Sequence, residues 1–458
     1  MSVPARAPSP VNRWLIWVAV AMAAAAALAA GLSSGLGMSR LSLMAPIGLV
    51  AGLGLMWLAV TRFELFVAMV LVVRASLDAV KVSPTGTGIA DPSSILSILF
   101  LAAGGIWLLA QRDEEGKAAS STFARPLFAL GVAATLSVAF SVDPGKSAVE
   151  LVRIITTIVI VLVLNRLLVD ERRIKLVLGA IFLSLLVPLA MGALEFVTGS
   201  GLHYSGSFGR VESTFLHPNP LAMYLTLLMV MGFALLPRVA GVARNGLVAL
   251  LLLSAVMLVL TYTRSGWIAA LIGIAVVGAL QSRRQTLLLC VAVAALIFLA
   301  PSISERFADL TEPPPASGTS GNSLTWRLQY WEETMGLARD PVLGAGLRTI
   351  EGSTAEAKLP HNDFVRVFVE TGLLGLAAYA WLLITFIKAA IRSVRETNRG
   401  TFGRSVAVGF AGTTAAFLIL SMVSNVLSQL VIFWYFLPMA MAAVAAARLQ
   451  KRETAASP

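Results

Sequence analysis

The chain predicts an all-α, polytopic transmembrane bundle of about 12–14 spans. Three observations carry that reading. Hydrophobic residues make up 57% of the 458 positions while charged residues make up 13%. Mean hydropathy is +0.84. Apolar runs long enough to cross a bilayer as helices recur from end to end, near 14–31, 42–60, 63–79, 93–110, 124–141, 148–168 and 176–198, then near 219–236, 245–262, 266–281, 285–300, 364–388, 405–427 and 430–447. Backbone polar groups in lipid must be satisfied within the segment, so runs of this kind form helices. A β-barrel would show short alternating strands instead, and none is apparent.

The first run, Trp14 to Ala30, follows Arg6 and Arg13 in the manner of a signal peptide, but its length and the spans behind it favour a retained helix. The span near 63–79 is the weakest, because Arg74 and Asp78 fall near its end. A net charge of +11 would suggest nucleic-acid binding in a soluble protein. Here the cations crowd short loops expected on one side: Arg166, Arg172, Arg173 and Lys175, then Arg238 and Arg244, then Arg283 and Arg284, the stretch from Lys388 to Arg404, and a tail with Arg448, Lys451 and Arg452. That is the positive-inside pattern, with both termini in the cytoplasm and no nucleic-acid partner. The single cysteine, Cys290, sits in an apolar run and reads as inert filler. Asp113-Glu114-Glu115 reads as a solvated cytoplasmic cluster. No cluster has metal-ligand spacing and no phosphate-binding glycine loop is present, so no metal or cofactor is expected.

Two outward segments are too long to be turns, Thr198 to Pro218 and Pro301 to about Leu359. In the second, Pro313-Pro314-Pro315-Ala316-Ser317-Gly318 is a breaker, and Ser323 to Trp331 has the spacing of a helix lying on the interface, stopped by Pro341, Gly344 and Gly346. Three outward sites put costly polar groups at the membrane edge. They are Gly209-Arg210 to Asn219-Pro220, with His217 inside it; Thr261-Tyr262-Thr263-Arg264-Ser265-Gly266; and Leu359-Pro360-His361-Asn362-Asp363, with Arg327 and Arg348 upstream. Arginine forks suit phosphate, and the imidazole of His361 is the group suited to proton transfer near neutral pH. Each also has a plain reading: Arg264 as a snorkelling helix end, Arg210 as a partner of Glu212, His361 as a neighbour of a helix cap.

Trp326-Arg327-x-x-x-Trp331, Asp340-Pro341-x-x-Gly344-x-Gly346, His361-Asn362 and Glu370-Thr371-Gly372-Leu373-Leu374-Gly375 together resemble the signature region of the O-antigen ligase and polymerase superfamily. The Arg210 and Arg264 segments are similar to its two upstream arginine motifs. The resemblance implies a GT-C-like bundle with N-terminal membrane helices at 1–200, a catalytic region at 201–390 that includes an outer loop at 301–361, and C-terminal helices with a cytoplasmic tail at 391–458. It further implies an inverting, metal-independent glycosyltransferase of the bacterial cytoplasmic membrane, with its active site facing outward. The donor would be a glycan on undecaprenyl pyrophosphate, and the acceptor a hydroxyl on a glycan, lipid or protein. Arg210 and Arg264 would hold the pyrophosphate, His361 would be the general base, and Arg327, Asn362, His217 and Arg348 would support them. A polymerase joining repeat units of a cell-surface polysaccharide uses the same parts and is the alternative, with ligation favoured. A polysaccharide or lipid transporter is a further reading, disfavoured because the strongest polar residues lie at the outer edge and not at mid-membrane.

Overall fold

The computed structural model describes residues 40–80, 91–111, 121–141, 143–205, 208–281, 324–354 and 358–456. The chain divides into two compact units, residues 1–70 and 71–458. The first holds α1 (Arg40–Thr61) and the start of α2 (Phe63–Arg74), joined at Arg62, whose carbonyl accepts from the amides of Leu65 and Phe66.

The second unit is built from α3 (Pro92–Ala110), α4 (Ala124–Val138), α5 (Pro144–Leu167), α6 (Glu171–Leu183), α7 (Leu186–Thr198), α8 (Pro218–Leu235), α9 (Gly241–Leu260) and α10 (Arg264–Gln281). After these come α11 (Leu324–Met335), the short α12 (Thr349–Ser353), α13 (Asp363–Glu396), α14 (Phe402–Val423) and α15 (Leu430–Ala456). Among the described residues the only strands are β1 (His203–Ser205) and β2 (Phe208–Arg210), an antiparallel hairpin pairing His203 with Arg210. The protein is thus an all-α polytopic membrane protein, as its composition predicts.

Nine helices among the described residues are long and apolar enough to span a membrane. Of the fourteen expected runs, those at 14–31 and 285–300 lie outside the described residues, as do Cys290, Asp113-Glu114-Glu115 and the proline breaker. The run at 42–60 lies within α1 (Arg40–Thr61), and the runs at 63–79 and 124–141 give shorter apolar helices, Phe63–Arg74 and Ala124–Val138. The helix Phe63–Arg74 gives way to a 3₁₀ turn at Leu77–Val80, and Arg74 forms a buried ion pair at 3.1 Å with Asp78 in that turn. The run near 176–198 is divided at Ser184 and Leu185, between α6 and α7.

Membrane helices without a hydrophobic drive between them pack through small residues. α10 and α14 follow this rule: a Cβ on Gly412 would lie 2.6 Å from the Gly273 carbonyl. Elsewhere the core is aromatic. Phe417 stacks on Phe436 at 4.3 Å, and Phe386 meets Phe436 edge-on at 4.9 Å, joining α13, α14 and α15. Large apolar side chains such as Ile106, Leu252, Trp381 and Ile384 stay exposed, as a lipid-facing surface requires.

Helix α13 is not continuous. Gly372 adopts φ 64°, ψ −164°, and the helix restarts after it. The segment from Asp340 to Gly346 lies across the break and satisfies its backbone: Leu373 and Leu374 donate to the carbonyls of Pro341 and Val342, while Ala345 and Gly346 donate to those of Val369 and Glu370. Asp340 Oδ1 in turn accepts from the amides of Val342 and Leu343 at 2.7 and 2.8 Å. A Cβ at Gly372 would collide with the Val342 carbonyl, and one at Gly344 would stand 2.5 Å from the Glu370 backbone. The glycine-rich motifs therefore hydrogen-bond each other, and each glycine is where the other strand of backbone passes. Gly372→Ala combines a left-handed φ with a backbone collision, so it should destabilise the protein by at least about 2 kcal/mol. Thermal unfolding in detergent tests this; an unchanged Tm would mean that the break is not strained.

Candidate functional site

The candidate site lies at one end of the bundle, where the chain enters α8, α10, α13 and α15 and leaves α9 and α14. Arg210 ends β2 and is 5% exposed. Its Nε donates to the Thr261 carbonyl at 2.8 Å, and its Nη2 donates to Asn219 Oδ1 at 2.8 Å and Thr263 Oγ1 at 3.0 Å. Val211 also donates to the Leu260 carbonyl. One guanidinium thus joins the hairpin, the start of α8 and the α9–α10 corner. That corner has no loop: Tyr262 turns the chain in the left-handed region (φ 47°), and half-buried Arg264 opens α10 directly.

His217 caps α8. Its Nδ1 accepts from the amide of Asn219 at 3.1 Å, which leaves the proton of the neutral ring on Nε2. Burial, followed by the positive charge of Arg210 and then by His203 and His361, pushes His217 down to about 3. The ring of His203 lies 4.9 Å away. His203 Nδ1 sits 3.6 Å from Glu212, yet burial and Arg210 lower its pKa, so this contact is not an ion pair at neutral pH.

His361 is held in a left-handed conformation (φ 52°), a costly one for a residue other than glycine. The preceding turn is clamped by Tyr330 and Trp331 of α11. The Tyr330 hydroxyl donates to the Lys358 carbonyl at 2.6 Å, and Trp331 Nε1 donates to that of Pro360 at 2.5 Å. The helix expected to lie on the interface is thus a clamp on the His361 loop, and it ends at Met335, ahead of Pro341. On the other side, Asn362 caps α13, its Oδ1 accepting from Phe364 and Val365 at 2.9 and 3.2 Å. Asp363 is fully buried and accepts from the Leu427 amide at 3.1 Å and the Tyr379 hydroxyl at 3.2 Å. Burial, then the cations Arg327 and Lys358, lower the His361 pKa to about 4.

The element that sequence reasoning missed is the turn between α14 and α15. The run near 405–427 was expected to continue as membrane helix, but α14 ends at Val423. The Val423 carbonyl accepts from Arg327 Nη1 at 3.2 Å, and Ser424 Oγ lies 3.3 Å from Ser265 Oγ, next to Arg264. The Asn425 amide lies 3.2 Å from His361 Nδ1, and Leu427 anchors Asp363. These contacts bind the Arg264, Arg327 and His361 segments together. The only sequence signal was Ser424-Asn425 and Ser428-Gln429 at the edge of an apolar run, which a hydropathy window averages away.

Arg348 is not brought to this cluster. Its guanidinium pairs with Glu351 at 2.6 Å, and its backbone amide donates to Glu370 Oε1 at 3.0 Å. Glu370 belongs to a buried chain of charges in which Arg366 donates to Glu370 at 3.1 Å and to Glu150 at 3.2 Å, with Arg153 on Glu150 at 3.0 Å. No group of three or more metal-ligating side chains exists among the described residues.

Arg210, Arg264, Arg327 and the starts of α8, α10 and α13 make this end of the bundle electropositive, because helix N-termini carry partial positive charge. A neutral histidine stands among them. These features define a class, that of multi-pass helical membrane proteins with an anion-seeking polar centre at one end. Residues 249–380 match the family model described as O-antigen ligase, and this similarity supports a membrane glycan-transferring protein of the O-antigen ligase and polymerase kind. The match runs from α9 into α13 and includes Arg264, Arg327, Arg348 and His361, whereas Arg210, His217 and Asn425 fall outside it. No curated protein matches the chain.

Lysine cannot reproduce the three-way bridge of Arg210. Arg210→Lys should therefore cost about 1–3 kcal/mol of stability through buried acceptors left unpaired, read as a fall in Tm. A variant as stable as the native protein would show that the bridge is dispensable.

Proposed function

We propose that this protein is an inverting, metal-independent glycosyltransferase that moves a glycan from a polyprenyl pyrophosphate onto an acceptor hydroxyl, as a ligase. The observation that supports this best is the gathering of Arg210, Arg264, Arg327, three helix N-termini and a neutral histidine at one end of the bundle. The opposite end carries Arg166, Arg238, Arg399 and Arg404. By the positive-inside bias that end is cytoplasmic, and the site faces the outer side of the cytoplasmic membrane.

The donor's two phosphates take up the positive charge of this end. Arg264 grips them through its guanidinium fork. Arg210, tied to Thr261, Asn219 and Thr263, fixes the corner that presents Arg264 and adds its charge from behind. His217, with its proton on Nε2 and too weakly basic to charge at neutral pH, serves as a neutral donor to a phosphate oxygen. The acceptor oxygen attacks the anomeric carbon on the face opposite the leaving group. As the new C–O bond forms, its proton passes to His361, the bond to pyrophosphate breaks, and the electron pair leaves on the phosphate oxygen. The imidazolium then returns its proton to water. Joining one repeat unit to another uses the same chemistry and differs only in the acceptor presented.

His361→Ala in liposomes loaded with lipid-linked donor and acceptor should abolish transfer while leaving Tm unchanged; transfer at near-normal rate would remove His361 from the mechanism. Arg264→Lys should lower transfer by roughly tenfold or more, because the ammonium lacks the bidentate fork. Native activity in the Arg264→Lys protein would mean that Arg264 does not grip the phosphates. Burial and two cations hold the free imidazole near about 4, so it is neutral at pH 7 and takes a proton only as pH falls toward that value. Bound pyrophosphate adds negative charge and raises the pKa. The acid limb of kcat, which reports the bound state, should therefore lie at higher pH than that of kcat/KM; coincident limbs would count against a base beside the pyrophosphate.

A further inference from the structure

A general base needs its lone pair on the nitrogen that faces the substrate, and a neutral imidazole has one lone pair and one N–H. The partner of the far nitrogen decides which is which. At His361 that partner is Asn425, 6% exposed, with its amide 3.2 Å from Nδ1. The turn carrying it is fixed on both sides: Ser424 lies against Ser265, Leu427 donates to Asp363, and Ser428 Oγ donates to the Asn425 carbonyl at 2.7 Å. Among the described residues no group hydrogen-bonds His361 Nε2, so that nitrogen is the one left for substrate.

We infer that Asn425 is a positioning residue which holds His361 in the Nδ1-protonated tautomer and so keeps the Nε2 lone pair ready for the acceptor hydroxyl; this rests on His361 being the base. The two ends of a carboxamide have the same shape, so either can face the ring. With the amine toward Nδ1, Asn425 Oδ1 is buried without a partner among the described residues. Turned over, that oxygen accepts the ring proton and the amine takes the place of Oδ1, so one end of the carboxamide is left over in either orientation and the state of the ring nitrogens decides between them. The charged and titratable groups that face the ring cannot replace the carboxamide. Arg327 and Lys358 are pure donors, and the acceptor nitrogen of His217 is already taken by Asn219. An amide also does what a carboxylate there could not: it orients the ring without placing negative charge beside a pyrophosphate.

The test uses the full chain in lipid bilayers with its histidines ¹⁵N-labelled. Only three histidines are present, so comparison with His361→Gln identifies the His361 signals. The native protein should show a protonated, pyrrole-type Nδ1 and an unprotonated Nε2 at neutral pH. Asn425→Ala should give a tautomer mixture and lower kcat by roughly tenfold to a hundredfold, with donor KM nearly unchanged. Asn425→Asp should move the acid limb of kcat to higher pH, because a carboxylate stabilises the imidazolium, and should raise donor KM by repulsion. An unprotonated Nδ1 in the native protein overturns the inference without any variant. So does an Asn425→Ala protein with native kcat and native ¹⁵N signals. Failure of the base reading is separate, since His361→Ala would then retain transfer whatever the spectra show.

Discussion

A helix that breaks inside a membrane protein must find new partners for the backbone groups it frees, because lipid offers none. At Gly372 this need is met by the Asp340–Gly346 segment, which exchanges hydrogen bonds with both halves of α13. Ser137 adds a bond to the Glu370 carbonyl. The path of residues 340–354 follows from that clasp. It fixes where the loop leaves the bundle, and with it where Arg348 enters the ion chain and where Thr349 starts α12. Tyr330 and Trp331 then hold the remaining turn, so His361 meets the start of α13 from a position defined on both sides.

The charges sort into two groups with different physics. Glu150, Arg153, Arg366 and Glu370 neutralise one another within the bundle, and removing one partner of such a chain leaves an uncompensated buried charge. The cations at the site end are arranged otherwise. Arg210 donates to oxygens of Thr261, Asn219 and Thr263, and Arg327 to the Val423 carbonyl, and these bonds orient both guanidinium groups. Oriented cations beside helix N-termini favour an incoming anion. They also keep nearby imidazoles neutral, as the depressed pKa values of His217 and His361 reflect after burial itself.

Much of this was legible in the sequence for reasons of local chemistry. Long apolar runs have one stable form in lipid, so most helices fell where hydropathy put them. Arg264, squeezed between two apolar runs, could only sit at a helix junction, and Asn362 before Phe364 reads as a cap. Length was harder to judge: the run near 63–79 reads as a span, but its α-helix ends at Arg74 and a 3₁₀ turn follows, holding Asp78 against Arg74. Arg348 shows the limit of residue-type reasoning, since an outward arginine near the motif turned to Glu351 and the buried carboxylates instead. Arg210 looked like a ligand for phosphate, and its fork is largely taken up in joining three segments.

By itself the sequence determined the all-helical membrane architecture, the side-dependent charge and the motifs that resemble a glycan-transferring superfamily, because hydrophobic length, charge bias and residue type are properties of short segments. Only the tertiary structure decided which polar residues meet. Arg210 and Thr263, His361 and Asn425, Asp363 and Leu427, and Gly372 and Val342 are distant along the chain, and nothing in their local spacing encodes the approach. Their encounters depend on how the helix ends come together, and that is fixed by packing across the whole bundle.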